Sequence, residues 1–140
     1  MILVDTNIIS ELMRDAPEPR VLAWIDAERR VDLYTSVIVK AEILYGIECL
    51  PEGRRRNALA TQAGAIFEED FAGRILPVTE SAVARYAVIS AGRRRVGRKF
   101  ALFDMLIAGT ANSVGARIAT RNTTDFDDCG IELINPWEAP

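Results

Sequence analysis

Histidine is absent from this chain of 140 residues, and cysteine occurs only twice, as Cys49 and Cys129. Without histidine the chain cannot build a Ser-His-Asp or Cys-His nucleophile system, nor a zinc site of the HExxH or Cys₂His₂ type. The two cysteines lack a CxxC spacing, so we expect a reduced, intracellular chain. Any catalysis must therefore rely on carboxylates, hydroxyls, lysine or arginine.

Long apolar runs are also missing, since no stretch has the length that is needed to cross a bilayer. The N-terminal residues MILVDTN have no basic lead-in and place an acid at the fifth position, unlike a signal peptide. We therefore expect a cytoplasmic protein with no membrane partner. The hydrophobic fraction of 49% and the charged fraction of 26% are typical of globular proteins, and the length predicts one domain over residues 1–140.

Basic charge is not in excess, because 17 basic and 20 acidic residues give a net charge of −3. The basic residues are nearly all arginines, and they cluster at 54–56 and at 93–95, followed by Arg98 and Lys99. These clusters have two interpretations, as solvated helix faces or as contacts for phosphate, which the guanidinium fork matches in shape. An acidic protein can still bind nucleic acid where basic strips flank its site.

Apolar periodicity predicts strands that alternate with helices. The predicted strands cover residues 1–4, 31–35, 74–78, 117–120 and 131–134. The predicted helices cover residues 6–12, 21–29, 37–50, 52–71, 80–94 and 100–114. Thr6 and Asn7, Ser36 and Thr79 are the predicted N-caps. The alternation favours an α/β fold with a parallel sheet that is covered on both faces, whose functional groups collect beyond the carboxyl ends of the strands.

Three acids lie in apolar surroundings. Asp104 follows FALF within a strongly apolar helix, Glu42 lies in the apolar segment VIVKAEILYGI, and Asp5 closes the buried first strand. An unpaired carboxylate in such a place costs several kcal/mol of desolvation, so it must be neutral, paired or bound to a cation. Each acid alone is compatible with a structural role, but three that converge on one sheet edge favour a shared cation.

The type of ligand restricts the cation. Hard oxygen ligands without histidine or cysteine point to Mg²⁺ or Mn²⁺ and not to zinc. Since Mg²⁺ sites combine a few carboxylates with waters and substrate phosphates, phosphoryl-transfer chemistry is the expected activity.

Four motifs, in order and spacing, resemble the PIN-domain nucleases. They are MILVDTNIISEL with Asp5, SVIVKAEILYGIE with Glu42, FDMLIAGTA with Asp104, and ATRNTTDF with Asn122 and Asp125. The match is closest to the VapC toxins of type II toxin–antitoxin modules, and FAGRILPVTE and the closing INPW resemble their FitB-like branch. The resemblance covers the whole chain.

The resemblance implies a three-layer α/β/α PIN-like fold with a central, mainly parallel sheet, and a Mg²⁺- or Mn²⁺-dependent ribonuclease. Asp5, Glu42 and Asp104 match the three acids of the family's metal site. Many members carry Asp where this chain has Asn122, so Asn122 or Asp125 would complete the site. The expected mechanism is hydrolysis by a metal-activated water, which leaves a 5′-phosphate and a 3′-hydroxyl.

The resemblance also implies partners. Family toxins form dimers and are inhibited by a small VapB-type antitoxin, which often places an arginine among the acids. Thr6 and Thr120 are candidates for contacts with the RNA substrate, although they also suit a helix cap and a strand end. Arg93, Arg94 and Arg95 are further candidates for contacts with the substrate or the antitoxin.

Three alternatives remain open from the sequence. Asp5 after an apolar strand also begins the motif of haloacid-dehalogenase-like phosphatases, but these need a second Asp where this chain has Asn7. A DNA-directed nuclease of the same fold is a second alternative. A non-catalytic regulatory subunit, whose acids only dock a basic partner, is the third.

Overall fold

A computed structural model describes residues 1–138, and its centre is a five-stranded sheet in which every pairing is parallel. Residues 139–140 of the predicted domain lie outside the described range. The strands are β1 (Ile2–Val4), β2 (Leu33–Ser36), β3 (Ile75–Leu76), β4 (Arg117–Ala119) and β5 (Leu133–Ile134), in the spatial order β3-β2-β1-β4-β5. The helices are α1 (Thr6–Leu12), α2 (Pro19–Ala27), α3 (Val37–Glu48), α4 (Arg54–Ala65), α5 (Glu80–Arg95) and α6 (Leu102–Ser113). The α/β fold predicted from the sequence is confirmed.

The central strand β1 is fully apolar because both of its faces are covered. Ile2, Leu3 and Val4 are at most 1% exposed, and β2 and β4 pair with β1 on its two edges. Parallel strands that are buried on both faces have this continuous apolar pattern. The carboxyl ends of β1, β2 and β4 therefore meet at one edge of the sheet, where the next residues of the chain are polar.

Two of the three predicted caps are confirmed, and one is wrong. The Ser36 hydroxyl accepts from the Val39 N–H at 3.2 Å, and the Thr79 hydroxyl accepts from the Ala82 N–H at 3.1 Å. The cap of α1 is Asp5 and not Thr6 or Asn7. Asp5 has the extended backbone conformation of an N-cap residue, and its carboxylate accepts a hydrogen bond from the free N–H of Thr6.

Element bounds differ from the prediction mainly at the ends. The helix predicted over 52–71 begins only after Gly53, and its last turn, Ile66–Asp70, widens into a π-helix. A 3₁₀ turn occupies residues 30–32 at the predicted start of β2, and the edge strands β3 and β5 are only two residues long. Edge strands have one neighbour each, so few hydrogen bonds fix their length.

Helices α5 and α6 pack against each other closely at Gly109. A Cβ atom built at this glycine would lie 2.5 Å from the Ala82 carbonyl oxygen and 2.8 Å from the Tyr86 nitrogen. Such spacing has room only for glycine, and it fixes α6, which carries Asp104, against α5. No helix formed by residues 1–138 combines the length and the apolar character that spanning a membrane requires.

Candidate active site

Asp5 lies where β1 passes into α1, and its carboxylate is held from several sides. Its backbone N–H donates to the Ala119 carbonyl of β4 at 2.9 Å, which fixes the residue at the sheet edge. Oδ1 accepts from the Thr6 N–H at 2.8 Å. Oδ2 accepts from the Thr120 hydroxyl at 2.8 Å and from the Asn7 amide at 3.2 Å. The β1, β4 and α1 segments therefore fix this carboxylate together.

Glu42 comes to the same place from α3. The Thr6 hydroxyl donates to Glu42 Oε1 at 2.9 Å, so one residue of the first turn of α1 contacts two acids. Thr6 is thus placed to orient Glu42 relative to Asp5. The second oxygen of Glu42 is left for a solvent molecule or a ligand.

Asp104 completes the cluster from the first turn of α6, where a carboxylate also suits the positive end of the helix dipole. Together with Asp5 and Glu42 it lines a pocket of about 420 Å³ at the carboxyl edge of the sheet. The residues that line this pocket are Asp5, Thr6, Asn7, Ser10, Glu11, Glu42, Asp104, Arg121, Asn122 and Trp137. The three predicted acids are therefore brought together by three different helices and the central strand.

Burial and neighbouring charges raise the pKa of two of these carboxyl groups, those of Asp104 and Asp5. Burial, and then the charges of Asp5, Asp125 and Glu42, raise the pKa of Asp104 to about 6, while the Arg93 charge opposes the rise. Burial also raises the pKa of Asp5, although its hydrogen bonds from Thr120 and Thr6 act in the opposite direction. A cation bound among these groups would relieve both the desolvation and the repulsion.

Asn122 and Asp125 both lie near the cluster of acids, but only Asn122 lines the pocket. Asn122 lines the pocket, and its backbone N–H donates to the Thr120 hydroxyl at 3.1 Å. Asp125 lies one turn further on and is exposed, and its charge raises the pKa of both Asp5 and Asp104. Thr120 itself is fully buried, so its hydroxyl positions Asp5 and the chain before Asn122.

The predicted arginine contacts are not gathered at the pocket. Arg93 is only 3% exposed, and its guanidinium donates to the backbone carbonyls of Thr124 and Asp127 and pairs with the Asp127 carboxylate. A side chain held in this way faces the protein interior and not a substrate. Arg94 and Arg95 are exposed at the end of α5, where contact with RNA or antitoxin stays a prediction.

Sequence reasoning assigned no functional role to several residues of the pocket, among them Asn7, Arg121 and Trp137. Asn7 donates to Thr120 at 3.0 Å as well as to Asp5, and it accepts from the Arg121 N–H at 3.1 Å. Its position in the first helical turn after Asp5 is the sequence signal that could have identified it. The Arg121 guanidinium lies over the Trp137 ring at 5.4 Å, a pairing that only the tertiary structure reveals.

The oxygen donors of the pocket fit Mg²⁺ or Mn²⁺. Carboxylates, an amide and hydroxyls are hard ligands, and no histidine or cysteine lines the pocket. Across residues 1–138, no three acidic or cysteine side chains already gather closely enough to hold an ion by themselves. An ion at this place would therefore take fewer carboxylates together with waters or substrate phosphate, which is the coordination that Mg²⁺ favours.

Comparison with known proteins gives one consistent family. Residues 2–131 match the PIN domain. The chain is 40% identical to the VapC ribonuclease Y4jK of Sinorhizobium fredii over 138 residues, covering 99% of each protein. It is 39% identical to the toxin FitB of Neisseria gonorrhoeae, covering 98% of this chain and 99% of FitB. The crystal structure of FitAcB from N. gonorrhoeae superposes with a TM-score of 0.92 at 39% identity, covering 99% of this chain and 100% of that one.

Proposed function

Since the chain belongs to the PIN-domain family, we propose that it is a Mg²⁺- or Mn²⁺-dependent endoribonuclease that serves as the toxin of a VapBC-type toxin–antitoxin module. The observation that carries this proposal is the convergence of Asp5, Glu42 and Asp104 on one pocket. Its relatives are named a VapC ribonuclease and a toxin. The absence of histidine agrees with a phosphodiesterase that needs no imidazole.

The residues at the site have different expected roles, which follow from their positions. Asp5 and Asp104 would bind the cation directly, while Glu42 and either Asn122 or Asp125 would hold its waters. When bound, the cation lowers the pKa of a coordinated water and neutralises charge on the scissile phosphate. Thr6 fixes one oxygen of Glu42 and leaves the other to accept the proton of the attacking water.

The bond changes follow from hydrolysis. The water oxygen forms a bond to phosphorus, and the bond from phosphorus to the 3′-oxygen breaks. That oxygen takes up a proton and leaves as the 3′-hydroxyl, while the other product carries a 5′-phosphate. Thr120 contributes by holding Asp5 in place through a 2.8 Å hydrogen bond.

Cleavage of a labelled, structured RNA by purified protein tests this proposal. The wild type, Asp104→Asn and the surface control Asp26→Asn are prepared identically and assayed with Mg²⁺, Mn²⁺ or EDTA. We expect metal-dependent cleavage by the wild type and the control, and a loss of at least about 100-fold in Asp104→Asn because the pocket loses a charged ligand. The products should carry 5′-phosphates.

Each other result has a definite meaning. Wild-type protein that cleaves no RNA, total tRNA included, contradicts the nuclease and favours a non-catalytic regulatory subunit. Equal cleavage by Asp104→Asn identifies a contaminant or another site. Cleavage of single-stranded DNA in preference to RNA favours a DNA-directed nuclease. The haloacid-dehalogenase-like phosphatase alternative is wrong, because residues 2–131 match the PIN domain.

An antitoxin is the proposed protein partner, and a groove beside the site suits it. The groove measures about 880 Å³, lies between α1, α3 and α4, and shares Thr6, Ser10 and Glu42 with the pocket. Its apolar lining includes Met13, Ile43, Ile47, Leu50 and Leu59. An amphipathic antitoxin segment in this groove would lead a basic side chain to the acids. The homodimer stays a prediction, which sedimentation of the purified chain tests.

A further inference from the structure

Arg93 fastens the end of α5 to the loop that follows β4. The guanidinium Nη2 donates to the Asp127 carbonyl at 2.6 Å, to the Asp127 carboxylate at 3.1 Å and to the Thr124 carbonyl at 3.3 Å. The side chain is 3% exposed, whereas the Asp127 side chain is 46% exposed. A buried arginine carries a large desolvation cost, so removal of these acceptors or of the cation disrupts the local structure.

Arg98 adds a second layer outside this contact. Its guanidinium pairs with the Asp127 carboxylate at 2.6 Å and with the Asp128 carboxylate, and it donates to the Thr124 carbonyl at 3.4 Å. The loop between β4 and β5 is therefore held by two arginines on one side. On its other side, Phe126 is 1% exposed and packs in the core.

The loop has little regular structure of its own. Its only helical element within residues 1–138 is the 3₁₀ turn Thr123–Asp125, and Asp128 adopts a positive φ of 61° without being glycine. A single short turn, followed three residues later by a residue with positive φ, depends on external contacts for its shape. This turn carries Asp125 and directly follows Asn122, and these two residues are the candidates for the fourth position of the acid cluster.

We propose that Arg93 is a positioning residue of the active site, which holds the Thr123–Asp125 turn so that Asp125 lies beside Asp5 and Asp104. This inference rests on the proposed nuclease function, and it replaces substrate contact as the role of Arg93. Arg93 contacts the turn from the protein interior and does not line the pocket.

The kinetic test is a double-mutant cycle with Asp125. Arg93→Lys keeps the charge, but its ammonium nitrogen lies one bond short of the Nη2 atom that makes all three contacts. We expect kcat for RNA cleavage to fall about 10- to 100-fold, because a shift of about 1 Å in a catalytic group costs that much, while KM changes less than about twofold. In an Asp125→Ala background the same substitution should cost less than about threefold. Arg85→Lys, on the exposed face of α5, is the matched control.

A second readout does not depend on activity. Cys129 lies within the same loop and is 4% exposed, so the rate at which a thiol reagent labels it reports on opening of the loop. The exposed Cys49 is the internal reference. We expect Arg93→Lys to raise the Cys129 rate at least about tenfold and to leave the Cys49 rate unchanged. Asp127→Asn alters the half-exposed partner of Arg93, and it should change kcat and the Cys129 labelling rate in the same direction by a smaller factor. This variant replaces Arg93→Lys if the latter does not fold.

The outcomes separate this inference from the proposed function. Wild-type protein without RNA cleavage contradicts the function, while the thiol rates still test the contact that Arg93 makes with the loop. Equal losses in the wild-type and Asp125→Ala backgrounds overturn the positioning role. A rise in KM with unchanged kcat would assign Arg93 to substrate contact and overturn it as well, as would unchanged Cys129 labelling in both variants.

Discussion

At the scale of single residues, hydroxyl groups organise the candidate site. The Thr120 hydroxyl donates to Asp5 and accepts from the Asn7 amide and the Asn122 N–H, so one buried oxygen joins α1, β4 and the following loop. The Thr6 hydroxyl joins Asp5's helix to Glu42 in the same way. Because neutral donors hold Asp5 and Glu42, the negative charge of these two acids remains available to a cation.

The charge of Asp104 makes the protein's stability depend on pH. The pKa of this carboxyl is about 6 in the folded protein and about 3.8 without the fold, so the folded state binds the proton more tightly. Without metal, the free energy of unfolding should therefore fall as the pH rises from about 4 to about 6. Asp104→Asn removes the cost of ionising this carboxyl in the folded protein. After allowance for solvent screening that cost is roughly 1 kcal/mol at pH 7, so the variant should melt about 3 °C above the wild type at this pH.

Thermal melting in EDTA at pH 4, 5, 6 and 7 checks this prediction. The difference between Asp104→Asn and the wild type should be small at pH 4 and grow towards pH 7, while Asp26→Asn should follow the wild type throughout. Mg²⁺ at pH 7 should raise the melting temperature of the wild type and of Asp26→Asn, but not that of Asp104→Asn. A difference in melting temperature that does not vary with pH would show that folding does not raise the pKa of Asp104.

At the scale of secondary-structure elements, the contact between α5 and α6 is decisive. Helix α6 supplies Asp104 and helix α5 supplies Arg93, and the two approach each other at Gly109. A side chain at this position would push against the backbone of α5, which cannot move aside like a flexible side chain. The helices would have to separate, and Asp104 would move with α6.

Gly109→Ala should therefore destabilise the protein by about 2–3 kcal/mol, since overpacking against backbone outweighs the better helix propensity of alanine. Gly92→Ala on α5 is the control, because a Cβ there meets nothing within 4 Å and should stabilise the helix by about 0.5–1 kcal/mol. Urea unfolding of both variants measures the difference. Equal stability of the two would mean that the helices are not in close contact at Gly109.

The same scale shows what the sequence can and cannot predict. Asp5, Glu42 and Asp104 were predictable because each is an acid within an apolar segment, and their convergence follows from a parallel sheet. Arg93 was not, since it lies among arginines that look alike in sequence, and only packing distinguishes the buried one from its exposed neighbours. The metal dependence and the role of Asp125 remain predictions.

At the scale of the whole molecule, the groove and the pocket form one continuous surface. Thr6, Ser10 and Glu42 line both, so a chain that fills the groove between α1, α3 and α4 ends at the acids. Inhibition would then need no separate allosteric site. A segment anchored by apolar contacts could bring one cation to Glu42 and exclude RNA from the pocket.

Gly46 lies in this groove on α3, is exposed, and a Cβ atom built on it would meet nothing within 4 Å. Gly46→Leu should therefore fill the groove without disturbing the fold and weaken antitoxin binding at least about tenfold, because it occupies the space of the partner's apolar side chains. The antitoxin is first identified as the small protein that restores growth to cells expressing the chain. Calorimetry then measures its affinity for each variant. Gly64→Leu on α4, which also has free space but does not line the groove, should bind like the wild type. Equal affinity of all three proteins would place the antitoxin elsewhere and separate inhibition from this groove.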